Sequence, residues 1–146
     1  MKLQGSHLIQ AHPEQVWAAL NNPEILAACI PGSKEFVLES EDCYRTALEV
    51  ALGPVKGVFK GRIRLSEKKP PEAMTLSVEA KAPVGTVRAS GNITLSPVQD
   101  GQMTQIDWEG SPQLGGMIVS VGMRLISGVA KSKAESFFNS LSQKIA

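Results

Sequence analysis

Hydrophobic and polar residues alternate with a period of two in two regions of the chain, which is typical of half-buried β-strands. The first region covers residues 3–9. The second extends from residue 35 to residue 109, where successive alternating runs are separated by turn residues such as Gly53-Pro54. No helix-length pattern interrupts the second region. The alternation therefore predicts about seven antiparallel strands, one before and six after a short insertion.

The insertion predicts two short helices, since Pro13-Glu14 and Pro23-Glu24 each place proline at a first helical position and glutamate in the first turn. Asn22 can cap the second helix, and Pro31-Gly32 can end it. Residues 114–145 contain no proline and carry apolar residues at helical spacing. They predict one continuous helix, about 46 Å long at 1.5 Å per residue.

This order of elements predicts an α+β fold in which the long helix covers the apolar face of a curved sheet. Glycines are predicted on the inner faces of the strands and within the helix, and they are Gly57, Gly61, Gly85, Gly91, Gly115, Gly116, Gly122 and Gly128. They either allow helix and sheet to approach closely or leave a void. Aromatic residues make up only 5% of the chain. We favour a cavity that holds an apolar small molecule.

The inner faces of the strands and the apolar stripe of the helix supply the candidate wall of this cavity. Tyr44 and Phe59 are expected to contact a flat head group, whereas Met74, Leu76 and Val87 would line the space for a tail. Trp17 and Trp108 are interpreted as core residues. The complete set of predicted lining residues is His7, Tyr44, Leu48, Phe59, Ile63, Met74, Leu76, Val87, Ile118 and Leu125.

Composition argues against several classes of function. The formal net charge of +1 gives no global field for nucleic acid binding. Cys29 and Cys43 are too few for a disulfide scaffold, and no metal-ligand spacing is present. The first residues lack a signal-peptide core, and no segment is apolar enough to cross a bilayer, so we expect a cytoplasmic protein, peripheral to the inner membrane face at most.

Two polar features remain open to a functional interpretation. His7 shares a strand face with Leu3 and Ile9, so it is either a structural histidine or a hydrogen-bond donor to a bound carbonyl. A basic strand face is either a solvated exterior or a docking surface for anionic lipid or an acidic partner, and its members are Lys56, Lys60, Arg62 and Arg64. No motif for nucleophilic catalysis, phosphate binding or dinucleotide binding occurs in a suitable context.

Several ordered motifs resemble the carbon monoxide dehydrogenase G-subunit family, within the Bet v 1-like, START-related helix-grip domains. They are Gly5 with Pro13-Glu14-Gln15-Val16-Trp17, Asn22-Pro23-Glu24, Cys29-Ile30-Pro31-Gly32, Gly53-Pro54-Val55, Gly57-Val58-Phe59-Lys60-Gly61, Arg124-Leu125-Ile126, Val129-Ala130-Lys131 and Phe137-Phe138. The resemblance covers nearly the whole chain, and the predicted organisation is one helix-grip domain over residues 1–146. Since the sequence shows no C-terminal extension of the kind frequent in the family after Ala146, we do not expect attachment to the membrane through such a tail.

The resemblance implies a deep hydrophobic cavity and an accessory role beside a molybdenum hydroxylase of the carbon monoxide dehydrogenase type. It implies recruitment of that enzyme to the membrane, or binding of a quinone's isoprenoid tail for electron delivery. No intrinsic cofactor is expected; a quinone or lipid would be the bound group. Two alternatives stay open, namely an enzyme of the same fold, such as a cyclase or hydrolase using His7, and an assembly factor with a packed interior.

Overall fold

A computed structural model describes residues 2–145 and has eleven elements in chain order. The strands are β1 (Leu3–Ile9), β2 (Ser33–Ser40), β3 (Cys43–Leu52), β4 (Val55–Lys69), β5 (Ala73–Ala82), β6 (Gly85–Val98) and β7 (Met103–Gly115). The helices are α1 (Pro13–Leu20), α2 (Pro23–Cys29) and α3 (Met123–Ile145), and a 3-10 segment (Gly116–Val121) precedes α3. The α+β class and the two short helices after β1 are confirmed.

All seven strands belong to one antiparallel sheet in the order β1-β7-β6-β5-β4-β3-β2. Five of the six strand pairs join neighbours along the chain, and only β1 returns to pair with β7. The sheet therefore has β1 and β2 at its two edges. Helix α3 contacts β1, α2 and β3, so it lies across the inner face from one edge towards the other. Helices α1 and α2 and the 3-10 segment contact other parts of the sheet, so α3 closes the apolar face together with these shorter elements.

Two glycines mark places where neighbouring strands approach too closely for a side chain. A Cβ on Gly61 would contact the backbone carbonyl oxygen of Glu79, and a Cβ on Gly91 would contact that of Glu109. Both glycines lie within paired strands, where residues other than glycine normally strengthen the sheet. Their role is therefore to allow close contact of backbones within the bending sheet.

The buried apolar residues form two separate clusters rather than one continuous core. The larger cluster joins β1, α1, α2 and the C-terminal half of α3, and it contains fully buried residues such as Ile106 and Leu141. The smaller cluster lies at the opposite end, where Phe59 and Ile118 pack with Ile126. The space between these two clusters is where the sheet and α3 are not fully packed together.

The prediction of one helix over residues 114–145 is wrong in its first third. Strand β7 continues through Pro112 to Gly115, because beyond Gly110 it has lost β1 as a neighbour and proline is tolerated at such an edge. Gly116 (φ +81°) and Gly122 (φ +88°) then adopt left-handed backbone conformations that interrupt a helix at both ends of the 3-10 segment. Only 23 residues form α3.

Candidate functional site

A cavity of about 390 Å³ lies between the inner face of the sheet and helix α3. This volume is within the range of about 300–1,000 Å³ that is usual for small-molecule sites. Its floor comes from β3 to β7, and its roof comes from α3. The segment that joins α2 to β2 contributes Ile30 and Pro31 at the side. The cavity is therefore built from most elements of the fold rather than from one loop.

The cavity wall is almost entirely apolar. Inward-facing residues such as Ile63, Leu76 and Phe137 are only partly buried, although they lie in the middle of strands or on the inner side of α3. They retain accessible surface because they face the cavity. Polar residues among the lining positions contribute almost no polar atoms to the wall. An apolar chain would therefore gain by filling this space, whereas a charged group would lose its hydration without compensation.

Five of the ten predicted lining residues do lie in the cavity wall, and they are Tyr44, Leu48, Ile63, Met74 and Leu76. Tyr44 is 2% exposed and stacks on Phe36, with ring centroids 4.7 Å apart. Burial raises the pKa of the Tyr44 hydroxyl, and the charge of nearby Asp42 adds to that effect. Tyr44 therefore presents a neutral aromatic side chain at the site.

The other five predicted residues lie outside the cavity wall. Phe59 and Ile118 are 5% and 1% exposed within the smaller apolar cluster, and Val87 packs against the same cluster. Leu125 is 38% exposed and lies beside Gly53 at the β3–β4 turn. The sequence pattern places these positions in the cavity because it predicts a continuous helix above them. Instead, the 3-10 segment packs on that end of the sheet and occupies the space above it.

Several lining residues were not predicted from the sequence. The side of the cavity includes Ile30, Pro31 and Phe36, and its roof includes Ala134 and Phe137. The sequence carried one signal for them, since the Ile30-Pro31 and Phe137-Phe138 motifs were among the matches to the family. Alternation could not reveal Ile30 and Pro31, which precede β2, or the residues of α3, which does not follow a period of two. Phe36 lies on β2, where shifts in the register with β3 interrupt the alternation.

His7, the fifth residue outside the wall, faces helix α3. Its ring lies 4.6 Å from the ring of Phe138, with an angle of 35° between their planes. Burial lowers the pKa of His7 below its usual value of 6.5, and the carboxylate of Glu135 opposes this in part. His7 therefore packs as a neutral ring between β1 and α3, beside the cavity wall rather than in it.

The lowered pKa of His7 predicts a loss of stability on mild acidification. Below pH 6.5 the unfolded chain takes up a proton at His7 that the folded protein does not, so the free energy of unfolding falls as the pH drops towards the lower folded-state pKa. The variant His7→Gln lacks this contribution. We expect a smaller difference in its Tm between about pH 7 and about pH 5 than in the wild type, as measured by thermal unfolding. Parallel profiles for the two proteins would contradict the assignment.

The predicted basic strand face is only partly available for docking. Arg62 donates two hydrogen bonds to the carboxylate of Glu39, each of 3.1 Å, and this pairing lowers the pKa of Glu39. Lys56 and Lys60 are exposed on the same strand. Of the four cations, Arg62 is therefore neutralised by Glu39 of β2, whereas Lys56, Lys60 and Arg64 are exposed and form no ion pair within residues 2–145.

Other candidate chemistry is limited within the described part of the chain. Among residues 2–145 there is no group of three histidine, cysteine or acidic side chains that could hold a metal ion. Cys29 and Cys43 are buried free thiols, and burial raises the pKa of Cys29, while Lys144 opposes the shift. No helix between residues 2 and 145 is long and apolar enough to cross a membrane.

Comparison with known proteins identifies the fold and the family. No curated protein sequence matches this chain. A conserved protein from Geobacillus kaustophilus is 34% identical with a TM-score of 0.92, over 99% of this chain and 95% of its own. The Zhui aromatase/cyclase from Streptomyces sp. R1128 is 14% identical with a TM-score of 0.71, over 99% and 93%. A START superfamily protein from Mycobacterium smegmatis is 11% identical with a TM-score of 0.73, over 99% and 96%.

The two more distant likenesses show the fold alone, which is the helix-grip fold that the family resemblance implied. A family model described as the G-subunit of carbon monoxide dehydrogenase, CoxG, matches residues 5–146, which is nearly the entire chain. The chain therefore belongs to the carbon monoxide dehydrogenase G-subunit (CoxG) family.

Proposed function

We propose that this protein binds the apolar chain of a lipid-soluble molecule in the cavity beneath α3 and does no chemistry on it. The observation that carries the proposal is the nearly complete absence of polar atoms from a cavity wall of about 390 Å³. A site that recognises a polar substrate places a few hydrogen-bonding groups in its wall to fix orientation. Here the wall favours a chain of methylene or isoprenoid units that needs no such partners.

A quinone fits this site if its isoprenoid tail enters the cavity and its head group remains near the opening. The side chains of Asn92 and Glu109 are engaged by Thr75 and Lys2, so these two lining residues present no polar group to the cavity interior. In this proposal the protein acts as an accessory to a molybdenum hydroxylase of the carbon monoxide dehydrogenase type. It aids the delivery of electrons from that enzyme to the bound quinone, or the recruitment of the enzyme to the membrane. Family membership supports this role.

Catalysis on an apolar substrate is a second candidate, since an aromatase/cyclase has the same fold. General acid–base catalysis requires a titratable group within hydrogen-bond reach of the substrate. His7 is the sequence's candidate for that role, but it lies against Phe138 outside the cavity wall. A third candidate, an assembly factor with a packed interior, does not account for the cavity. The binding function agrees better with both observations.

Titration of the purified protein with decylubiquinone, a benzoquinone with a ten-carbon tail, tests the proposal. Trp108 lines the cavity, whereas Trp17 packs in the larger cluster, so the variant Trp17→Phe leaves Trp108 as the only fluorescent tryptophan. We expect saturable quenching of Trp108 and a one-to-one complex by native mass spectrometry. Absence of both, with decylubiquinone and also with a fatty acid of similar length, would reject the binding function.

A further inference from the structure

Three exposed aliphatic side chains project from one end of the molecule. Met117 and Val119, on the 3-10 segment, are 61% and 55% exposed, and Leu125, at the start of α3, is 38% exposed. This end also includes the β3–β4 and β5–β6 turns. The backbone N–H of Ile118 donates to the carbonyl oxygen of Val84 at 3.0 Å, and a Cβ on Gly53 would lie 3.2 Å from Leu125. We call residues 50–60, 80–87 and 111–130 the 3-10 end.

The 3-10 end carries a strongly biased charge. It contains four basic residues and no aspartate or glutamate, and the basic residues are Lys56, Lys60, Lys81 and Arg124. The remaining 107 residues contain 11 basic and 14 acidic residues, so they carry a negative net charge. All four cations are exposed, and the ion pairs within residues 2–145 involve other basic side chains. The net charge of the whole chain is therefore close to zero although the 3-10 end is positively charged.

We infer that the 3-10 end docks on the surface of an anionic lipid bilayer. Protruding aliphatic residues beside cations are the combination that binds the boundary between acyl chains and negatively charged head groups. Met117, Val119 and Leu125 would enter this boundary while Lys56 and Arg124 contact the head groups. This surface differs from the predicted basic strand face, of which Arg62 is paired with Glu39 and only Lys56 and Lys60 belong to the 3-10 end.

A groove between α3 and the end of β3, which includes Ala51, extends from this end towards the ligand cavity. It is lined by apolar residues such as Val121, Leu125 and Val129, and at its far end it reaches Lys133. Lys133 is also a lining residue of the cavity. A lipid-soluble ligand leaving the bilayer could therefore pass along this groove as far as Lys133, which borders the cavity. This step rests on the proposed function, whereas the docking itself rests only on the exposed residues and charges.

Sedimentation with vesicles tests the docking surface. We expect the wild-type protein to bind vesicles of equal parts phosphatidylglycerol and phosphatidylcholine, to bind pure phosphatidylcholine vesicles weakly, and to be released by salt. The double variant Lys56→Glu/Arg124→Glu should bind the anionic vesicles about tenfold or more weakly. The double variant Met117→Ser/Val119→Ser should also lose about tenfold. All four positions are solvent-exposed, so circular dichroism should show intact folds.

Matched controls use residues of the same kind on other surfaces. Val37 and Leu38 are 43% and 49% exposed on β2, and Lys69 and Lys144 are exposed cations away from the 3-10 end. The variants Val37→Ser/Leu38→Ser and Lys69→Glu/Lys144→Glu should bind vesicles as the wild type does. Equal losses in test and control variants, or no vesicle binding by the wild type, would overturn the inference.

The two proposals can fail independently because they have separate readouts. Decylubiquinone binding in solution, followed by Trp108 fluorescence, reports on the cavity without any membrane. If the protein binds decylubiquinone but not anionic vesicles, the docking surface is rejected and the carrier function stands. If it binds the vesicles through the 3-10 end but binds no decylubiquinone, the carrier function is rejected and the docking surface stands.

Discussion

The variant Gly61→Ala is expected to lose about 3 kcal/mol of stability, although it adds a single methyl group. The new Cβ would collide with the carbonyl oxygen of Glu79 and lie 2.6 Å from the Cα of Ala80. Both obstacles are backbone atoms of β5, which is hydrogen-bonded to β4 at this point. The clash cannot be relieved by rotating a side chain, so the two strands would have to separate or the sheet would have to flatten.

The matched control is Gly128→Ala, which adds the same methyl group in helix α3. A Cβ there meets nothing within 4 Å, and the residue does not require a left-handed backbone. Replacing a helical glycine by alanine should stabilise the protein by about 0.5–1 kcal/mol. Guanidinium chloride denaturation of both variants measures the contrast. If the two variants were equally stable, the close contact of β4 and β5 would not require glycine at position 61.

The order of β2 to β7 could be predicted because these six strands follow one another with clear alternation. In β4, for instance, Phe59 and Ile63 point inwards while Lys60 and Arg62 point outwards, and the register with β3 preserves this pattern. Alternation depends only on the chain's own geometry, in which side chains project to opposite faces in turn. The alternation can therefore be recognised in the sequence without knowledge of the tertiary structure.

The start of α3 could not be predicted in the same way. Absence of proline indicates a continuous helix, but Pro112 lies within a strand and the glycines at 116 and 122 need left-handed backbone angles. The sequence alone does not show which backbone conformation a glycine adopts. The extension of β7 is decided by its partner β6, which is a tertiary effect that overrides local preference.

The position of the cavity was the least predictable feature. The sequence correctly indicated which strand faces point inwards, but residues on the same face have different environments along one strand. On β4, Ile63 lines the cavity, whereas Phe59 is packed under Ile118. The two environments differ because the 3-10 segment packs on only one end of the sheet. The alternation of residues along a strand does not indicate which element covers each part of that strand.

Filling the cavity should abolish ligand binding while the protein stays folded. Ala89 lies on β6 in the cavity wall, where it is partly accessible because the space in front of it is empty. The variant Ala89→Trp directs an indole ring into the volume that a ligand tail would occupy. Excluding even two methylene groups from burial, at about 0.8 kcal/mol each, weakens binding about tenfold. We therefore expect decylubiquinone to bind at least about tenfold more weakly.

The control for this variant is Ala28→Trp, since Ala28 is exposed on α2 and does not line the cavity. It adds the same ring and the same extra tryptophan fluorescence, so binding should be followed by native mass spectrometry as well as by quenching. Ala28→Trp should retain wild-type affinity. Ala89→Trp should keep a cooperative unfolding transition, because its ring enters empty space instead of displacing packed atoms. Undiminished binding by a folded Ala89→Trp variant would mean that the ligand occupies another part of the molecule.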